Sequence, residues 1–156
     1  MQKNSSLEKN NNLIKSKKRV KDYGEVYTPQ WLVKDMIALT PASIPDKTVL
    51  EPSCGNGNFL IEILSQKLDN SKDIKEAYIS LNSLYGIDIQ DDNIVETRER
   101  LKTLFLDRFP NEDANKIDKI LSKNIVCGNF LDKMTYSNGK PTGEAIWFLK
   151  EQLTLL

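Results

Sequence analysis

From Tyr23 onward the apolar positions of the chain alternate between two rhythms, short continuous runs and stripes at helical spacing. Thr28-Pro29 reads as an N-cap followed by proline at the first helical position, and Trp31, Leu32, Met36 and Leu39 then give an apolar face that ends at Pro41. Thr48-Val49-Leu50 predicts a short buried strand closed by Glu51-Pro52. Gly55 to Asn58 reads as a turn, and Phe59–Leu68 as a helix carried by Leu60, Ile61, Ile63 and Leu64. A second helix is expected over Lys72–Leu81, with Ile74, Ala77, Tyr78 and Leu81 on one side. Leu84–Ile89 predicts the second strand, which ends in an acid. Asp92 is placed to cap a long helix reaching about Asp107, with Val95, Leu101, Leu104 and Phe105 inward, and Asn111–Ser122 reads as another. Asn124–Cys127 predicts a third strand, Asn138-Gly139 a tight turn, and Ala145–Leu149 a fourth strand or hairpin arm. Strand, helix, strand, helix, strand is the order of an α/β fold with a doubly wound, mainly parallel sheet. In such sheets ligands sit outside the carboxyl ends of the strands, so the residues just after each strand carry the chemistry.

Charge changes the picture at the front of the chain. Residues 1–22 carry Lys3, Lys9, Lys15, Lys17, Lys18, Arg19 and Lys21 against Glu8 and Asp22, a net of +5 in a chain whose total is zero. With Asn10, Asn11 and Asn12 and few apolar residues, this segment reads as a flexible basic arm, either a solvated tail or an arm that touches nucleic acid. The remaining residues, 23–156, form one domain by length. No apolar run approaches the ~20 residues of a membrane span, and no secretion signal is evident, so a soluble, cytoplasmic protein is expected. The chain has no histidine, which excludes Ser-His and Cys-His nucleophiles and His-bearing zinc sites within it. Cys54 and Cys127 form no CxxC pair, and no metal site is expected.

The first strand runs into Glu51-Pro52-Ser53-Cys54-Gly55-Asn56-Gly57-Asn58-Phe59-Leu60. Two glycines, two apart, let the backbone bend and approach a ligand, and the helix behind them aims free N–H groups at it. A purely structural turn would look the same. Glu51 chooses between ligands: a pyrophosphate near 4 Å would be repelled by about 4 kcal/mol at an effective dielectric of ~20. Leu60 also fills the third glycine position of the dinucleotide fingerprint, which leaves an oxidoreductase a distant option. S-adenosylmethionine carries an ammonium for Glu51 and a carboxylate for the N–H groups, and it fits the turn better. Asp88 ends the second strand where a carboxylate can accept from both hydroxyls of a ribose, with Ile89 beside it for an adenine face; a surface acid capping the next helix is the plain alternative.

Four stretches in order resemble the amino-group DNA methyltransferases, the adenine-N6 type of restriction–modification systems. Gly24-Glu25-Val26-Tyr27-Thr28-Pro29 resembles the family's motif ahead of the sheet, which implies that Tyr27 and Thr28 close over the methionine end of the cofactor. Leu50–Leu60 resembles its glycine loop, implying cofactor contacts from Glu51, Pro52, Cys54, Gly55 and Gly57. Tyr85-Gly86-Ile87-Asp88-Ile89 resembles the ribose-binding strand end, and Cys127-Gly128-Asn129-Phe130-Leu131 the turn that holds adenine through Asn129 and Phe130, with Asn129 where the family usually has Asp. The resemblance implies a class I, Rossmann-like fold, S-adenosylmethionine as cofactor, DNA as substrate and site-specific methylation of adenine.

One motif does not follow. The family's catalytic loop reads Asn or Asp, Pro-Pro, then Tyr or Phe, whereas Pro29, Pro41, Pro45, Pro52, Pro110 and Pro141 are all isolated here. No catalytic residue is identified. Tyr136 and Trp147 read as core or hairpin residues rather than base-stacking ones. Later strands and a target-recognition domain are also missing, so the fold is expected to be incomplete. The sequence supports the cofactor-binding portion of such an enzyme, either a truncated or split gene product or a half-enzyme completed by another polypeptide, with a complementary methyltransferase or restriction subunit as the expected partner. Alternatives are a non-catalytic cofactor-binding or partner-binding subunit of a split methyltransferase, and methylation of a protein or RNA amine.

Overall fold

A computed structural model describes residues 13–40 and 47–153, with the side chains of 151–153 excepted. Residues 1–12, which include the Asn10–Asn12 run, and residues 41–46 and 154–156 lie outside the described residues. Elements follow in the order α1 (Lys17–Tyr23), α2 (Gln30–Ala38), β1 (Val49–Glu51), α3 (Asn58–Asn70), α4 (Ile74–Asn82) and β2 (Leu84–Asp88). They continue with α5 (Asp91–Arg108), α6 (Ala114–Asn124), β3 (Ile125–Asn129), β4 (Met134–Ser137), β5 (Lys140–Ala145) and α7 (Trp147–Leu153). The five strands form one sheet in sequence order. β1, β2 and β3 are parallel, with Glu51 opposite Gly86 and Asp88 opposite Cys127. β4 and β5 form an antiparallel hairpin along β3, closed at Asn138-Gly139, both with positive φ as the two-residue turn requires.

The α/β architecture matches the sequence expectation, and its incompleteness has a physical form. Leu84 and Ile125 face one core with residues from α2 to α6, including Val33, Leu60, Leu64, Leu81, Leu101, Phe105 and Leu121. Ile87 on the other face packs with Ile146, Phe148 and Leu149, joined by Leu50, Tyr85, Val126 and Trp147. Among the described residues α7 is thus the helix whose side chains pack on that second face. β1 is an edge strand with β2 as its paired neighbour.

Local chemistry sets the element ends. Asp73 accepts the Glu76 N–H at 2.9 Å while Glu76 takes the Lys72 N–H at 2.8 Å, a reciprocal cap on α4. Asp113 accepts from Asn115 N at 2.8 Å to start α6. Four local expectations shift. Pro29, not Thr28, is the N-cap of α2. The buried face of α2 is Val33 and Ile37, with Trp31 65% and Leu39 88% exposed, because two stripes at helical spacing compete and α3 contacts the shorter one. Gln90 rather than Asp92 precedes α5, and Val95 is exposed. Ala145 ends β5, and Trp147–Leu149 belong to helix α7 instead of a strand.

The basic segment also departs from expectation. Within residues 1–22 the described part is folded from Leu13, with Ser16 capping α1 through the Arg19 N–H at 3.1 Å. Its cations meet carboxylates on α5 that composition alone does not reveal. Lys15 reaches Asp92 at 3.0 Å and Glu96 at 2.9 Å, and Arg19 reaches Asp92 at 2.7 Å.

Candidate site at the strand ends

β1 and β2 deliver Glu51 and Asp88 to the same edge of the sheet, and both line one cavity of about 210 Å³. Tyr27, Thr28, Cys54, Gly55 and Ile89 line it too, so seven of the eleven expected residues come together. Pro52 and Gly57 do not line the cavity; Gly57 serves as the N-cap of α3 at φ 88°. Asn129 and Phe130 are likewise off the lining. Asn129 Oδ1 instead accepts the Leu131 N–H at 2.9 Å, which closes its own turn. Tyr136 donates to Asp132 at 2.6 Å on the hairpin, and Trp147 Nε1–H to the Lys123 carbonyl at 2.7 Å beside Tyr85 and Phe148.

Asp88 is buried and accepts three hydrogen bonds. Gly55 N–H meets Oδ2 at 3.0 Å, while Gln90 N–H at 2.9 Å and Asn93 Nδ2 at 3.1 Å meet Oδ1. Each carboxylate oxygen takes about two donors, so one position remains, on Oδ2. Asp88 can take one hydroxyl, rather than two, without giving up a protein donor. Glu51 is held differently. Burial pushes its carboxyl up from the ordinary range, and the Ser53 N–H at 3.3 Å partly offsets this. It makes no ion pair among the described residues. Burial, and then the charges of Asp88 and Glu51, push the Cys54 thiol up, which disfavours its thiolate form. Burial and Asp91 push the Cys127 thiol up to about 12.

Five contributors escaped sequence reasoning. Glu25 lines the cavity, with Arg19 on its carboxylate at 2.5 Å. Asn93, Thr97 and Arg100 lie on one face of α5, at positions i, i+4 and i+7. Thr97 donates to the Gly55 carbonyl at 3.0 Å. Arg100 donates to the Asn56 carbonyl and to Asn58 Oδ1, the latter at 2.9 Å, and Asn58 Nδ2 in turn holds the Thr28 carbonyl at 2.8 Å. The glycine loop is therefore braced from α5. A polar stripe in helical register beside Ile94 and Leu101 was the available signal.

Among the described residues the lining contains Glu25, Glu51 and Asp88 and no lysine or arginine. α3 begins behind the loop with no side-chain cap, so its first N–H groups face the turn. An acid-lined hollow over a helix N-terminus suits a ligand with both a cationic and a carboxylate group, and S-adenosylmethionine fits that donor and acceptor set.

Comparison with known proteins agrees with this geometry. The family model described as N-6 DNA Methylase matches residues 12–98, a stretch that takes in α1 through β2 and runs into α5. The Type II methyltransferase M.VspI of Vibrio sp. (strain 343) is 33% identical over 81 residues, covering 52% of this chain and 17% of that protein. The chain thus spans about 17% of the length of this curated relative. No solved structure matches. The matched stretch carries Glu25, Tyr27, Glu51, Gly55 and Asp88 together, and on it the chain belongs to the N-6 DNA Methylase family.

Proposed function

We propose that the cavity at the strand ends binds S-adenosylmethionine, and that the chain is the cofactor-binding portion of an adenine-N6 DNA methyltransferase of a restriction–modification system. Glu51 and Asp88 on the lining, which make no ion pair among the described residues, carry this reading, because they favour a cationic ligand over a pyrophosphate. Glu51 would face the ammonium, the first N–H groups of α3 the carboxylate, Asp88 Oδ2 a ribose hydroxyl and Ile89 the adenine. Bound cofactor supplies a methyl group on a sulfonium; the chain's part is to orient it. Tyr27 and Thr28 would wall off the methionine end. Pro52, Gly57, Asn129 and Phe130 do not line the cavity, so the reading does not rest on cofactor contacts from them.

Methyl transfer to adenine needs more than cofactor binding. The N6 lone pair is conjugated with the ring, and acceptors for its protons must build density on nitrogen. No Asn-Pro-Pro-Tyr-like loop occurs in these 156 residues, so the loop and DNA recognition would have to be supplied by polypeptide beyond them, on the same or another chain. The same feature favours a second reading, a non-catalytic cofactor-binding or partner-binding subunit of a split methyltransferase. Calorimetric titration with S-adenosylhomocysteine tests the shared premise. Binding is expected, and Asp88→Ala should weaken it by about 1–3 kcal/mol, the loss typical of a hydrogen bond to a charged group. Absence of binding by the wild-type chain would end the proposal.

A further inference from the structure

One wall of the cavity is formed by residues 23–28, the last residue of α1 and the segment that follows it. Backbone pairing ties it to the chain ahead of α1 through Tyr27 N–H on the Leu13 carbonyl at 2.7 Å. Its side chains converge on Asn93, a fully buried residue on the first turn of α5. Asn93 Nδ2 donates to Glu25 Oε2 at 2.9 Å and to Asp88 Oδ1 at 3.1 Å, and Asn93 Oδ1 accepts the Tyr27 hydroxyl at 2.8 Å. Both amide donors are used on carboxylates. A flipped amide would set its oxygen against two anions, so the orientation is fixed by chemistry.

We propose that Asn93 is a positioning residue that locks the 23–28 wall to the Asp88 carboxylate, so that the wall docks and the carboxylate is oriented as one event. Lifting the wall would leave a buried amide with unmet bonding capacity and Glu25 parted from it, which favours all of these bonds or none. Arg19 extends the unit outward by neutralising Glu25 at 2.5 Å. The ligand-binding consequence rests on the S-adenosylmethionine reading above; the lock itself does not.

Two variants separate the possibilities in the full chain. Asn93→Leu keeps the branched outline and removes the bonds, while Tyr27→Phe removes one hydroxyl. In the ligand-free protein, amide exchange at Tyr27 should quicken by ~10-fold or more in Asn93→Leu, with exchange in β2 unchanged. Unchanged Tyr27 exchange would overturn the lock, whether or not the wild type binds ligand. For S-adenosylhomocysteine, Asn93→Leu should weaken binding by ~10–100-fold, and adding Tyr27→Phe should weaken it by less than ~3-fold more, since both act on one unit. Fully additive losses would overturn the coupling. If Asn93→Leu does not fold, Tyr27→Phe alone decides through the same exchange reading at Tyr27. Failure of the wild type to bind ligand would refute the cofactor reading, a result distinct from any exchange outcome.

Discussion

Gly57 shows how closely the loop is fitted to the helix that braces it. Its φ of 88° is strained for any residue with a side chain, and an added Cβ would stand 2.8 Å from Thr97 Cγ2 and 2.9 Å from Thr97 Oγ1. Thr97 is fully buried, β-branched and committed to the Gly55 carbonyl at 3.0 Å, so it has little room to yield. Gly24 provides the control, since φ is 66° there and nothing lies within 4 Å of its Cβ position. Gly24→Ala should cost about 1 kcal/mol from backbone strain alone, and Gly57→Ala about 2–4 kcal/mol because overpacking adds to it. Urea denaturation of the two variants gives the comparison. Equal losses would mean that the Thr97 contact relaxes freely.

At the scale of elements, α1 depends on charges that lie far away in sequence. Burial raises the Asp92 carboxyl, but hydrogen bonds from Arg19 and Lys15 outweigh it and hold the group down at about 2. A depressed carboxylate contributes stability that is present above its ordinary pKa and is lost as pH falls through the folded value. The tether on α1 should accordingly be intact at neutral pH and weaken from about pH 4 toward pH 2. Because the Asp92 side chain is 54% exposed, the contribution stays below about 1 kcal/mol and should shrink with added salt. Asp92→Asn should show at pH 7 the reduced protection of α1 amides, relative to the unstructured chain at the same pH, that the wild type is expected to reach only in acid. Equal α1 exchange in both proteins across this range would remove Asp92 from the tether.

Those ion pairs also mark where the sequence was legible and where it was not. Strand ends, the glycine loop and the Asp88 position are local signals, encoded within a few residues, and they emerged at the expected places. The folding of residues 13–22 was not, since Lys15 and Arg19 find Asp92 more than seventy residues onward. A net of +5 says that cations need partners or solvent, not which. The α2 face failed for another reason: Trp31, Met36 and Leu39 satisfy helical spacing as well as Val33 and Ile37 do, and only packing on α3 distinguishes them. Asn93 was passed over because a buried polar residue reads as a surface one until its partners are known.

For the whole molecule, the deciding matter is how far the proposed cofactor site can go without a base-activating loop. Among the described residues one sheet face carries helices from α2 to α6, the other packs α7, and β1 pairs on one side alone, with β2. An apolar edge of this kind invites another strand, and polypeptide added there would arrive beside the cavity. Holding a methyl donor in place lowers the entropic part of the barrier but does nothing for the conjugated amine. With tritiated S-adenosylmethionine and DNA, the chain alone should therefore incorporate no methyl above background while still binding S-adenosylhomocysteine. Incorporation on adding a polypeptide that carries an Asn-Pro-Pro-Tyr loop would identify the chain as the cofactor half of an enzyme. Binding without incorporation in such mixtures would favour the non-catalytic subunit, and clear incorporation by the chain alone would show that the loop is dispensable here.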